Sequence, residues 1–370
     1  MSFLAPFSIE PGFKHGQPPR TAVLLVNLGT PEAPTASALR RYLAQFLSDR
    51  RVVEIPRLLW LPILHGIILR VRPAKSAAKY ASVWMPQGSP LRVWTEKQTT
   101  LLQGFLGEKG HRLLVKHAMR YGQPSIASQL DALKAEGATR ILIVPLYPQY
   151  CAATTASVMD DVFAWGQRTR KLPELRNIGH FHNDSGYIEA LTSCVREHWG
   201  RNGRSGKLVM SFHGMPQRTL LQGDPYHCEC LATGRLLAER LGLKPDDYVV
   251  TFQSRFGKAK WLEPYTEPTL RALAKAGTKR VDVICPGFVA DCIETLEEIA
   301  IEGKQAFLGD GGQEFHYIPC LNERLDWIRA LTALVEQHLQ GWPTRADQTP
   351  AAVTQLDAQR RRALDAGAAQ

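Results

Sequence analysis

The feature that most constrains this chain is a diverged internal repeat. Val26-Asn-Leu-Gly-Thr-Pro31 and Ser211-Phe-His-Gly-Met-Pro216 each close an early apolar run with the same x-G-x-P ending. Later in each half come Met119-Arg-Tyr-Gly122 and Ser254-Arg-Phe-Gly257, each followed by a proline-started helical pattern. These patterns end in related phrases, Ala132–Arg140 and Ala272–Arg280, which run into strands closing at Pro145 and Pro286. A pattern repeated at this scale marks one structural unit used twice. Two similar halves joined near residue 200 are therefore expected.

Within each half, short β-branched runs alternate with helical patterns. The strand candidates are Ala22–Leu28, Arg112–Ala118, Arg140–Leu146, Lys207–Phe212, Tyr248–Gln253, Val281–Cys285 and Phe315–Pro319. Helices are expected over Ser125–Glu136, Cys230–Leu241 and Thr266–Ala276, among others. Such alternation implies βαβ units and mostly parallel sheets, so the fold class is α/β. The expected organisation is an N-terminal extension (1–20), a first domain (21–200), a second domain (201–330), a C-terminal helix that can pack back on the first domain (331–342) and a flexible tail (343–370).

Composition excludes several classes. The 370 residues are 44% hydrophobic and 22% charged, ordinary for a globular protein with a large core. The longest apolar run, Leu58–Leu69, is too short to span a bilayer and is interrupted by Pro62, His65 and Gly66. The first twenty residues lack the apolar core and cleavage pattern of a secretory signal. Seven cysteines with no C-x-x-C pair suit a reduced, cytoplasmic protein. The net charge of +10 is concentrated between Arg50 and Lys79, where Glu54 is the single acid. Basic charge beside an apolar run points to a membrane surface or an anionic ligand. No helix-turn-helix, zinc-finger or RNP pattern supports nucleic acid as the partner.

In open parallel sheets, ligands bind beyond the carboxyl ends of the strands. The motif-rich segments fall there, and none is a glycine-rich phosphate loop. His213 sits at such a strand end. It is either a cleft histidine titrating near neutrality or a structural one bonded to backbone. Asp291, Glu294 and Glu298 have i, i+3, i+7 spacing, which on a helix gives one acidic face. That face is either a solvated first turn favoured by the helix dipole or a hydrated path for a hard cation or protons. Tyr147, Tyr150, Phe288, Trp261 and Trp84 together suit a large flat apolar ligand. Arg50, Arg120 and Ser89 can meet its anionic edges, although Arg120 equally fits a buried ion pair. The cysteines are scattered apart from Cys228 and Cys230 beside His227, and they make no metal framework.

From Thr21 to Leu339 the chain resembles the ferrochelatases, which insert ferrous iron into protoporphyrin at the end of haem synthesis. The resemblance rests on ordered motifs: Leu25-Val-Asn-Leu-Gly-Thr-Pro31, Gly88-Ser-Pro-Leu91, Met119–Gly122, Tyr147-Pro-Gln-Tyr150, Ser211–Pro216, Gly223-Asp-Pro-Tyr226, Thr251–Arg255 with Trp261, Pro286-Gly-Phe288 and Asp291-Cys-Ile-Glu-Thr-Leu-Glu-Glu298. It implies two Rossmann-like domains with a porphyrin cleft between them. His213 matches the family's catalytic histidine and Glu294 its essential glutamate. Asp291 and Glu298 match the acidic row, so His213, Glu294, Asp291 and Glu298 are the implied iron-contacting groups. Leu28, Arg50, Ser89, Arg120, Tyr147, Trp261 and Phe288 match porphyrin-contacting positions. A π-helical stretch is implied after the strand that ends near Cys285. The segment from Arg50 to Lys79 matches the lip over the porphyrin, which in membrane-associated members also touches the bilayer.

Two departures qualify the match. Cys292 stands where the family often has histidine, which suggests a bacterial type. No cysteine follows Cys320, so the C-terminal [2Fe–2S] cluster of some members is not expected. The activity implied is insertion of Fe2+ into protoporphyrin IX to form protohaem, with no permanently bound cofactor. A monomer is expected, cytoplasmic or peripheral on the cytoplasmic membrane face. The alternatives are a coproporphyrin III ferrochelatase, a cobalt chelatase, a non-catalytic tetrapyrrole carrier and a nucleotide-binding transferase.

Overall fold

A computed structural model describes residues 7–12, 15–257, 259–345 and 350–369. Parts of the expected N-terminal extension and tail, at 1–6, 13–14, 346–349 and 370, lie outside the described residues. The first half runs β1 (Arg20–Gly29), α1 (Ala36–Leu47), α2 (Arg57–Ile63), α3 (Leu69–Ser82), α4 (Pro90–Glu108), β2 (Leu114–Tyr121), α5 (Ile126–Ala135), β3 (Ala138–Pro145), α6 (Ser157–Gly166) and β4 (Glu174–Asn177). After α7 (Ser185–Asn202) come β5 (Lys207–His213), α8 (Gln217–Leu221), α9 (Tyr226–Leu241), β6 (Tyr248–Gln253), α10 (Thr266–Lys275), β7 (Arg280–Ile284), α11 (Ile293–Leu296), α12 (Lys304–Gly309), β8 (Glu314–Ile318) and α13 (Leu325–His338). The tail, expected to be flexible, carries α14 (Pro350–Asp365).

The repeat becomes two four-stranded sheets of identical topology, β2-β1-β3-β4 and β6-β5-β7-β8. Every pairing is parallel. The central strands are buried on both faces: Ala22–Val26 of β1 are fully buried, as are Val209 and Met210 of β5. A continuous β-branched run is what such a strand requires. The strand absent from the sequence reading, β4, is a four-residue polar edge with the sequence ELRN. An edge strand needs no apolar run, so pattern alone does not reveal it.

One apolar core joins the sheets. Val23, Leu25, Leu142 and Val144 of the first belong to the same buried cluster as Leu208, Met210, Phe212 and Ile284 of the second. Phe181, Tyr187 and Trp327 lie within that cluster, with Phe181 stacked on Trp327 at 5.8 Å. The joint expected near residue 200 falls in the last turn of α7, which packs on α9 and α13. Helix α13 also packs on α4.

Each half ends its central strand at a glycine pressed against the neighbouring strand. Gly29 has φ +108°, and a Cβ there would lie 1.8 Å from the Tyr121 carbonyl oxygen. A Cβ on Gly214 would lie 2.4 Å from the Gln253 carbonyl oxygen. The x-G-x-P phrase thus encodes one steric requirement twice. Gly29→Ala is expected to lower the unfolding free energy by about 3 kcal/mol or more in urea titrations. Gly66→Ala is the control, since a Cβ there meets nothing within 4 Å. A Gly29→Ala protein as stable as the control would contradict this reading.

Candidate active site

Because Gly29 and Gly214 follow them, Leu28 and His213 are the last side chains of β1 and β5, at the carboxyl ends of both sheets. The His213 carbonyl accepts from the Tyr226 hydroxyl at 2.9 Å, which ties the strand end to α9. The ring Nδ1 lies 2.7 Å from the Gly214 carbonyl oxygen. A carbonyl has no proton to give, so Nδ1 donates and Nε2 keeps its lone pair. Among the described residues Nε2 has no hydrogen-bond partner. The backbone-bonded reading of His213 thus holds for Nδ1, and Nε2 is left without a hydrogen-bond partner among the described residues. Trp261 closes this corner through a bridge to Pro216, with its ring against Gly214.

The acidic segment is not one helical face. Asp291 precedes α11, and the capping residue Cys292 is extended at φ −147°. The Asp291 carboxylate is buried and saturated: it accepts from Tyr317 at 2.5 Å, Thr295 at 3.0 Å and Asn322 at 2.6 Å. It fixes the loop before α11 and does not extend the row beside Glu294. The helix then widens into π-helical turns over Glu298–Gly303, the stretch the resemblance implied.

Glu298 is held from β6. Gln253 donates to the Glu294 carbonyl at 2.7 Å and accepts from Ser211 at 2.7 Å. Ser254, with φ +64°, donates both its amide and its hydroxyl to the Glu298 carboxylate. Burial lifts the Glu298 carboxyl above the ordinary glutamate range and the Glu294 charge adds to this, against Ser254 and the nearby His213. A narrow groove lined by Thr266, Leu270, Glu298, Glu302 and Gly303 opens beside it. Near Glu294, Tyr42 and Tyr80 come from α1 and α3. Burial, followed by charges that include Glu294, holds both phenols well above their ordinary range.

The aromatic and basic groups divide. Leu28 packs among Leu91, Ala290 and Cys292, as does Phe288. Tyr147 and Trp261 each leave a buried polar atom, the hydroxyl and Nε1, without a partner. Ser89 is buried and accepts from Thr30 at 2.7 Å. Arg120 is occupied by Asp49 at 2.7 Å and Asp161 at 2.9 Å, and its Nε donates to Ser157. Burial opposes the Asp49 charge, but Ser157, the Arg51 amide, Tyr121 and Arg120 outweigh it and hold this carboxyl low. Arg120 is therefore the buried ion pair of the two readings. Arg50 is exposed, with no ion pair among the described residues.

Comparison with known proteins decides the family. The ferrochelatase family model matches residues 20–339. The chain belongs to the ferrochelatase family. It is 67% identical to the ferrochelatase of Methylibium petroleiphilum, over 97% of this chain and 98% of that one. It is 65% identical to that of a Polaromonas species, over 92% and 94%. With the ferrochelatase of an Azoarcus species it shares 59% identity over 99% and 100%. Among solved structures, SirB from Bacillus subtilis with Fe3+ superposes with a TM-score of 0.52 at 13% identity, covering 86% of this chain and 95% of that one. This likeness concerns the fold: two parallel sheets flanked by helices, as in other chelatases.

Sequence reasoning missed the groups that hold the ferrochelatase site together. Gln253 and Ser254 stood inside a quoted motif, but their bonds to Glu294 and Glu298 are legible only once β6 and the π-helical turns are adjacent. Glu302 lies within the π-helical turns, and Lys79 meets it at 2.6 Å and Glu297 at 3.0 Å across the halves. No three of His213, Asp291, Glu294 and Glu298 bring ligand atoms within 4.8 Å of one another. Ser254→Gly keeps the backbone donor and the positive φ but removes the hydroxyl. The Glu298 titration, followed by carbon-13 NMR of labelled glutamate, is then expected to move further up; a downward shift would refute the hydrogen-bond account.

Proposed function

We propose that this chain inserts ferrous iron into protoporphyrin IX to form protohaem, the last step of haem synthesis, with His213 accepting pyrrole protons. The observation that carries this is the His213 contact: Nδ1 is engaged by the Gly214 carbonyl at 2.7 Å, which leaves Nε2 as the nitrogen available to exchange a proton with a bound ring. Insertion replaces two pyrrole N–H protons with one Fe2+, so two protons must leave. Nε2 takes protons from the ring and passes them to solvent. Glu294 and Glu298 receive protons or guide the ion on the acidic side, and the raised Glu298 carboxyl suits a group that is alternately protonated and ionised. Iron is substrate here, and no resident cofactor is needed for this step.

Porphyrin binding is assigned to Leu28, Ser89, Tyr147, Trp261 and Phe288, with Arg50 at an anionic edge. The Tyr147 hydroxyl and Trp261 Nε1 are buried without a partner, so these two side chains are offered to the ring through their aromatic faces and not through hydrogen bonds. Arg120 acts through its ion pairs, as a positioning residue. Holding the ring out of plane exposes its nitrogens, which directs binding energy toward the transition state.

His213→Ala is expected to reduce iron insertion by about 100-fold or more while the porphyrin dissociation constant stays within a few-fold. The assay is anaerobic loss of porphyrin fluorescence, run with protoporphyrin IX and coproporphyrin III in parallel. Near-normal turnover by the variant would remove the assigned role, and preference for coproporphyrin III would overturn the substrate.

The lip is proposed as a peripheral membrane contact. Leu58 is 92% exposed, and Leu59, Ile67 and Val71 are also exposed over α2, the π-helical turn and α3. Exposed Arg70, Arg72 and Lys75 alternate with them. No helix among the described residues is long and apolar enough to cross a membrane. In flotation with anionic vesicles, Leu58→Ser/Leu59→Ser/Ile67→Ser is expected to lower the bound fraction at least about tenfold. Equal flotation of variant and wild type would end the proposal.

A further inference from the structure

Outside the cleft groups, one further cluster has the chemistry of a metal site. His180 and His182 lie in the loop between β4 and α7, and Glu229 lies in the first turn of α9. One ligand atom from each lies within 4.8 Å of the others, the one group of three or more such donors among the described residues. The alternation is enforced by Phe181, whose ring is buried on Trp327 and Tyr187 and whose amide donates to the Pro148 carbonyl at 2.8 Å. With Phe181 turned into the core, the imidazoles on either side point away from it, and their rings stand edge to face at 5.0 Å.

Glu229 is the anionic centre. Its side chain is 9% exposed, and Oε2 also accepts from the Tyr150 amide at 2.7 Å. Burial works against its charge, but His182, the Tyr150 amide and His180 outweigh that and hold the carboxyl below the ordinary glutamate range. His180 Nδ1 lies 2.6 Å from Oε1. His182 Nδ1 lies 3.2 Å from Oε2 but is not aligned for a hydrogen bond, and it is buried with no partner. A buried imidazole nitrogen that sits at ion-pair distance from a carboxylate without an aligned hydrogen bond needs an explanation. Its separation from Oε2 is close to a tetrahedral ligand–ligand edge, about 3.4 Å for bonds of about 2.1 Å.

We propose that His180, His182 and Glu229 bind one divalent first-row transition ion. Two imidazole nitrogens and one carboxylate suit Fe2+, Co2+, Ni2+ or Zn2+ rather than Mg2+ or Ca2+. His180 is 52% exposed, so water reaches the remaining coordination positions. Binding needs a lone pair on His180 Nδ1. The proton there leaves for the ring's own Nε2 or, where Nε2 already carries one, for solvent. The ion would clamp the loop before α7 to α9, at the segment where Tyr150 leaves the first sheet. None of its ligand atoms belongs to His213, Glu294 or Glu298, so the proposal is independent of the assigned activity.

The test is Co2+ titration of the full-length chain, followed by calorimetry and visible absorption. His213→Ala/Glu294→Gln removes the cleft groups first. That protein is expected to bind one equivalent of Co2+ saturably, with ligand-field bands. Adding His180→Gln is expected to weaken binding at least tenfold, and adding Glu229→Gln to abolish it. Because His180 is half exposed, its variant keeps the metal-free melting temperature and carries the test if Glu229→Gln fails to fold. In otherwise wild-type protein, His180→Gln is expected to leave iron insertion within about twofold. Three results would overturn the proposal: no saturable Co2+ binding in the cleft variant, binding unchanged by His180→Gln, or loss of iron insertion with His180→Gln.

Discussion

The contact on which both halves depend is a glycine Cα pressed against the carbonyl of the adjacent strand. At Gly29 and again at Gly214 no side chain fits between the central strand and its neighbour. The chain can therefore turn off the sheet immediately, and the residue before the glycine is left at the strand end. In the first half that residue is Leu28, which packs with the apolar groups near Phe288. In the second it is His213, and the Gly214 carbonyl then becomes the acceptor that orders its ring. The same steric device thus places an apolar group in one half and a base in the other.

The second half adds an electrostatic arrangement that the first lacks. Glu298 is buried, and buried carboxylates are costly unless hydrogen-bonded. Ser254 supplies two donors from a left-handed backbone conformation, and Gln253 links the same turn to the Glu294 carbonyl. In the first half the comparable charge density is neutralised within the protein, through Asp49, Arg120 and Asp161. The Arg120 cluster of the first half is therefore electrostatically closed, whereas the second half keeps a carboxyl, Glu298, that burial lifts above its ordinary range. That asymmetry between otherwise similar sheets is the physical basis for assigning chemistry to the second.

Much of this was legible in the sequence. Among the described strands, the central β1, β3, β5 and β7 are the apolar runs that burial on both faces requires, and the edges β2, β6 and β8 keep enough apolar residues to be seen; β4, the polar edge ELRN, does not. The diverged repeat foretold two similar halves, since related phrases impose related turns, and the matching strand order became visible only in the structure. The acidic row was misread because i, i+3, i+7 spacing presupposes α-helical winding, whereas Asp291 lies before the helix and Glu298 begins a π-helical stretch. Arg120 could not be assigned from sequence, since its partners Asp49 and Asp161 are 71 and 41 residues away. The pairing of His180 and His182 with Glu229 was likewise invisible, since it depends on how α9 meets the loop before α7.

The central claim is that His213 is held with Nδ1 protonated and Nε2 free. Two-bond proton–nitrogen correlation spectra of histidine-labelled protein read the tautomer directly, with His213→Ala supplying the assignment. The account predicts a protonated, pyrrole-type Nδ1 and an unprotonated, pyridine-type Nε2 above the pH of imidazole titration, with Nε2 the signal that moves when porphyrin is added. A protonated Nε2 in the free enzyme, unchanged by porphyrin, would contradict it.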